Sequence, residues 1–171
     1  MKGAWRGWLL AVLQLSLVAS LAGKYLLDRH TLPHGWVRAR PYDPQLPVRG
    51  RYVRLRVETR LDNALRTAEA ERAGAHDRNW WSGSAHLAMD RDGLILKPDA
   101  NGKQLWIQAV GGRFYLEEPV AFFIPEKVPD PSLRPPGEEL WVDVSLPRHG
   151  PPRPIRLGVL RGGVLTPLHL D

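Results

Sequence analysis

His30 and His34 stand four residues apart, the spacing that sets two imidazoles on one face of a helix to hold zinc. Pro33 breaks the helix that such a pair needs, and no glutamate follows His30 to act as general base. The two are read as solvated linker histidines. Asp90-Arg91-Asp92-Gly93 has the opening of a calcium loop, but Leu94, Ile95 and Leu96 stand where more oxygen ligands are required, so a hairpin turn is predicted instead. No metal site is predicted. With no cysteine in the chain, thiolate ligands, disulfides and cysteine nucleophiles are excluded.

Nucleophile and acid–base arrangements are equally incomplete. Ser82, Gly83, Ser84 and His86 lie close together without a G-x-S-x-G elbow. Glu117-Glu118 and Glu138-Glu139 are adjacent pairs, and adjacent side chains of an extended chain point to opposite faces, so one of each pair at most serves a given site. Gly111-Gly112 and Gly162-Gly163 lack the Lys-Ser/Thr tail of a phosphate loop and read as turns. No catalytic residue and no cofactor is assigned. The enzymatic alternative is an envelope hydrolase using Glu117, Glu126 or His86 in a cleft.

Aromatic residues offer binding rather than chemistry. Trp80, Trp81 and Trp106 suit the wall of a small-ligand pocket, although in a small β domain such rings serve first as core. Phe122 and Phe123 must alternate faces in a strand, which leaves one of them exposed beside Pro125 and Glu126. These four residues, with Arg54 and Arg56, form the candidate contact surface.

The elements that position these groups begin with an apolar run. Gly7 to Gly23 carries no charge behind Lys2 and Arg6. It makes roughly 25 Å of helix, approaching the ~30 Å of a hydrocarbon core once Tyr25 to Leu27 extend it and Lys24 snorkels. Trp5 and Trp8 suit the interfacial belt. Residues 1–30 are expected to be a signal-anchor, with cleavage after Ser20-Leu21-Ala22 as the alternative. Pro33, Pro41, Pro44 and Pro47 predict a stiff connector over 31–48. Residues 49–171 are expected to form the domain beyond it.

Within that domain Val53, Leu55, Val57, Thr59 and Leu61 alternate with Arg54, Arg56, Glu58 and Arg60, which predicts a strand with one buried and one wet face. Residues 62–78 turn to Ala, Arg and Glu and predict a short surface helix, capped by Asp62 or Asn63 and stopped at Gly74. Asp92-Gly93, Asn101-Gly102 and Gly111-Gly112 then punctuate apolar stretches as tight hairpins do, predicting an antiparallel meander. Leu140, Val142, Val144 and Leu146 alternate as a further strand, and Arg161-Gly162-Gly163 turns a last pair. The predicted class is mainly β: an N-terminal transmembrane helix followed by an antiparallel β-sandwich or partly open barrel with one short inserted helix.

With 24 Lys plus Arg against 18 Asp plus Glu the net charge is +6, a balance that suits anionic surfaces. No basic stripe interleaved with aromatics and no nucleic-acid-reading motif accompanies it, so nucleic acid is not predicted as a partner.

Asp43-Pro44, Leu46, Arg49 and the stretch Gly50-Arg51-Tyr52-Val53-Arg54-Leu55-Arg56-Val57, followed later by Phe123-Ile124-Pro125-Glu126, resemble the bacterial GDYXXLXY family of membrane-anchored proteins. Arg51 stands where the family has Asp, and Val57 where it has the final Tyr. Gly50, Tyr52 and Leu55 keep the family's residues and read as a turn or bulge entry, an edge side chain with a polar tip, and core. The resemblance implies an envelope protein without an assigned biochemical activity, and a multi-spanning membrane protein as partner. Together with the apolar run, it places the chain as a single-pass inner-membrane protein with its C-terminal domain in the periplasm or outside. The expected role is a non-enzymatic interaction domain or accessory subunit.

Overall fold

Pro33 divides the chain. In the computed structural model, which describes residues 2–42, 52–72, 80–147 and 150–170, Met1–Leu32 and Pro33–Asp171 form two separate compact units. The first is the helix α1 (Lys2–Thr31), whose stretch Trp5–Asp28 has a mean hydropathy of 1.6 and is long and apolar enough to cross a membrane. Its last turn closes with the Thr31 hydroxyl donating to Leu27 O at 2.9 Å and Leu32 N–H donating to Asp28 O at 3.0 Å. Pro33 has no N–H to continue that series.

The second unit starts earlier than the connector expected over 31–48 would allow. His34–Pro41 is a strand, β1, because Val37 and Ala39 alternate with Trp36, Arg38 and Arg40 and become buried, while Pro33 and Pro41 fall at the strand's limits, where a missing donor interrupts no ladder. Proline content hid this alternation. The Asp43–Arg51 approach, including Gly50 and Arg51, lies outside the described residues, as do Gly74, His76 and His149.

β1 couples two halves of the sheet. His34–Arg38 pair with β8 (Glu138–Ser145), and Ala39–Pro41 pair with β2 (Tyr52–Leu61), both antiparallel. Beyond β8 come β9 (Arg153–Arg161) and β10 (Val164–Pro167), the last joined through Gly162 and Gly163 at φ +57° and +83°. Beyond β2 the order is β4 (Gly93–Pro98), β3 (Trp80–Asp90), β5 (Lys103–Val110) and β6 (Arg113–Leu116). β6 pairs again with β2, so this run of strands returns to its own start. Outside this ring, β7 (Val120–Phe123) also pairs with β2. The chain is thus mainly β, in a large, mostly antiparallel sheet, with the apolar helix α1 and one short helix, α2 (Asn63–Arg72), as the fold class predicted.

Two pairings depart from a simple antiparallel succession, the second of them within the predicted meander. β2 and β4 run parallel, Arg60 opposite Ile95 and Leu61 opposite Leu96, because α2 and β3 carry the chain round before β4 arrives. Asn101-Gly102 does not turn a hairpin: β4 pairs with Ala85–Asp90 of β3, and β5 with Trp80–Ala85 of the same strand. Gly102 is there for space, since a Cβ on it would lie 2.6 Å from Ala85 O and 2.7 Å from Ala85 C. The hairpins at Gly93 (φ +110°) and at Gly111-Gly112 (φ +58° and +76°) form as predicted.

The core gathers the inward positions of these strands: Leu55 and Val57 of β2, Leu94 and Leu96 of β4, Ile107 of β5, Val142 and Val144 of β8 and Leu157 of β9. Leu55 and Val57 are thus both core.

Candidate functional site

The alternation that sends Val53, Leu55 and Val57 inward sends Tyr52, Arg54, Arg56, Glu58 and Arg60 to the opposite face of β2. Register brings more polar side chains to that face. Arg40 of β1 lies opposite Arg56, Tyr115 of β6 opposite Glu58, and Gln108 of β5 opposite Tyr115. The face was expected to be wet, and at Arg56 this is corrected: its side chain is 12% exposed.

A guanidinium withdrawn from water needs partners, and Arg56 has three. Its Nη2 donates to Glu117 Oε1 at 3.0 Å, its Nη1 donates to Gln108 Oε1, and its guanidinium lies 4.6 Å from the centre of the Tyr42 ring. Arg40 donates from Nη2 to the same Gln108 oxygen at 3.1 Å and stands 4.8 Å over Tyr115. Two cations thus share one neutral carbonyl. Glu58 accepts from Arg113 Nη1 at 3.3 Å, yet burial pushes its carboxyl above the usual carboxylate range, with Arg38 opposing and Glu139 reinforcing that shift. Burial, and then the Glu58 carboxylate, likewise push the Tyr115 phenol up. Arg56 is therefore held inside a polar cluster rather than standing free on the face.

At the other end of β2 the face is open. Tyr52 is opposite Phe123 and Arg54 opposite Ala121, and all four are exposed. Phe123 is 59% exposed, whereas Phe122 packs partly buried against the core, the alternation predicted for the pair. Arg54 has no ion-pair partner among the described residues. Pro125 is half-buried and Glu126 exposed, just past Ile124, which enters the core.

The residues proposed for a hydrolytic cleft do not converge. His86 Nδ1 lies 3.4 Å from Asp99 Oδ2 in an exposed pair, Glu117 is held by Arg56, and Glu126 is exposed just past β7. Among the described residues no three His, Asp or Glu side chains are grouped as a metal site would require. Trp81 is core, Trp80 is exposed on β3, and Trp106 enters a cavity of about 270 Å³ with Tyr42, Leu105, Leu116, Glu117 and Pro151-Pro152.

No family model matches the chain, and no curated protein or solved structure is similar to it.

A second buried polar group was not foreseen. Asp143 of β8 is 1% exposed, faces Arg156 Nε at 3.0 Å and His34 Nδ1 at 3.2 Å, and Arg156 lies 5.1 Å from the Trp36 ring centre. The signal available was local: Asp143 interrupts nothing in the apolar alternation Leu140, Val142, Val144 and so occupies the outer face, but the half-exposed cation that covers it comes from β9. Ser145 is opposite His34, yet its hydroxyl donates to Arg153 O at 3.4 Å and not to the imidazole. The trio is an ion-pair cluster, without the nucleophile–base contact that a triad needs.

Proposed function

We propose that this protein is a membrane-anchored envelope protein whose β domain works by contact, as an interaction domain or accessory subunit of a multi-spanning membrane protein. α1 is the single-pass anchor in the inner membrane, and the β domain stands in the periplasm or outside. The resemblance of Gly50 to Val57 and of Phe123 to Glu126 to GDYXXLXY proteins supports both the compartment and the kind of partner. The observation that carries the contact role is the exposed patch of Tyr52, Arg54, Ala121 and Phe123. β7 pairs only with β2 among the described strands, so this patch borders an unpaired strand edge. Tyrosine, arginine and a second aromatic, together and uncommitted to the core, are the side chains that contribute most where interfaces desolvate.

Photo-crosslinking in native membranes tests it, with the photoreactive residue at position 123 or, separately, at position 52, and a control at Leu133, which is similarly exposed. The expected result is one dominant adduct with a multi-spanning membrane protein from position 123, absent at 133 and lost from position 52 when Phe123→Ala is introduced. Absence of any adduct, or adducts spread equally over both positions, would overturn the reading. Carbonate extraction of the same membranes tests the anchor: the full chain stays in the pellet, and a chain starting at Pro33 does not.

A further inference from the structure

We infer that α1 pairs in the membrane with α1 of a second copy of this chain, through the side chain of Gln14. The inference rests on the reading of α1 as the anchor and is independent of the Tyr52–Phe123 patch. Gln14 is the one amide side chain in the uncharged run from Gly7 to Gly23. It lies about 14 Å of helix beyond Trp5 and about 21 Å before Asp28, the two ends of the apolar span, so its carboxamide reaches the headgroup layer on neither side. Two N–H donors and a carbonyl acceptor are then set in hydrocarbon, where no water meets them. The side chain stands exposed on the helix and has no hydrogen-bond partner among the described residues.

The serines of the run do not carry this demand. Ser16 and Ser20 have hydroxyls short enough to donate to the carbonyl four residues back, the bond that Thr31 makes to Leu27 O at 2.9 Å. The Gln14 carbonyl needs a donor instead, and the N–H groups inside α1 are already spent on the helix's own ladder. Lipid tails offer none. The donor must come from another polar group at the same depth.

The face around Gln14 shows what brings it. Gly7, Leu10, Gln14, Leu17 and Leu21 recur at alternating spacings of three and four, the seam along which two helices pack in a left-handed coil. Leu10, Leu17 and Leu21 are 61%, 64% and 56% exposed, and Gly7 leaves open space where a Cβ would stand. A second copy fits this seam because it enters the membrane in the same direction, which sets its own Gln14 level with the first. The carboxamide is self-complementary: across a two-fold axis each Nε2–H donates to the other's Oε1. One polar side chain in such a seam also fixes its register.

The chain has no cysteine, so single cysteines report neighbours cleanly. The full chain is oxidised in native membranes carrying Leu10→Cys, Leu17→Cys or Leu21→Cys, or, on the opposite face, Val12→Cys or Ser16→Cys. Disulfide-linked dimers are expected from the first three and few from the other two. In liposomes, Leu17→Cys protein is diluted with lipid until half of the dimer is lost. Gln14→Leu is expected to reach that point at about tenfold lower lipid-to-protein ratio, while Gln14→Asn, which keeps the amide, stays within about threefold of the parent. Carbonate extraction separates the pairing from the anchor on which it rests. A chain released by carbonate overturns both. A chain retained in the pellet overturns the pairing alone if its dimers form equally at all five positions, if Gln14→Leu resists dilution as the parent does, or if positions 10, 17 and 21 link to a different protein.

Discussion

Tyr52 and Phe123 meet edge to face across β2 and β7, with ring centres 5.4 Å apart and planes at 68°. Both rings remain about half exposed, so the contact orders two aromatics at the surface without removing them from water. A double-mutant cycle of Tyr52→Ala and Phe123→Ala is expected to give a coupling of about 0.5 kcal/mol in urea unfolding, the lower end for aromatic pairs. A coupling of several kcal/mol would make the pair core, and partner loss in Phe123→Ala would then report misfolding.

Gly102 and Gly111 separate two reasons for glycine. Gly111 has φ +58° with open space around it, so Gly111→Ala costs about 1 kcal/mol, and Gly111→Asn, which tolerates that conformation, costs less. Gly102 faces Ala85 backbone, so both substitutions there cost about 1–3 kcal/mol, with no relief from asparagine. Chemical unfolding of the four variants checks the pattern, and relief by asparagine at 102 would contradict it.

Asp143 and Arg156 should respond unequally. Arg156→Ala leaves the buried carboxylate with His34 as its one remaining partner of the cluster and is expected to cost about 2 kcal/mol. Asp143→Asn leaves an acceptor for Arg156 and no buried charge, at about 1 kcal/mol. Equal losses in thermal unfolding would show that packing of Arg156 on Trp36 dominates, rather than the charge.

Glu58 has a testable pH signature. Because its folded carboxyl titrates above the unfolded value, the folded state binds the extra proton between the two, and its contribution to stability falls as pH rises through that window. Glu58→Gln removes the penalty of the ionised form, so the variant gains on the parent between pH 4 and pH 7. Urea midpoints at both pH values measure the gap, and a gap that narrows toward neutrality would reverse the assignment. Tyr115, also shifted up, adds a loss of the same sign at alkaline pH.

The local rules were legible wherever one strand decided its own pattern. Alternation in residues 52–61, glycine pairs at 111–112 and 162–163 and the apolar run behind Lys2 each name their element, because side-chain period, positive backbone dihedrals and helix length are properties of consecutive residues. β1 was missed because four prolines outweighed five alternating residues, although two of those prolines lie at the strand's ends. Gly102 was misread for a related reason: a glycine that avoids a distant backbone and one that bends its own look alike.

What consecutive residues settled was the class: an apolar helix long enough for a bilayer and a chain of short strands with one face fit for a core. What only the tertiary structure decided was which polar groups lose their water. Arg56 reads as a wet residue in β2 and becomes buried through Gln108 of β5, Glu117 after β6 and Tyr42 after β1. Desolvation depends on what the rest of the chain brings against a side chain, and those neighbours belong to other segments, Gln108 and Glu117 being 52 and 61 residues away.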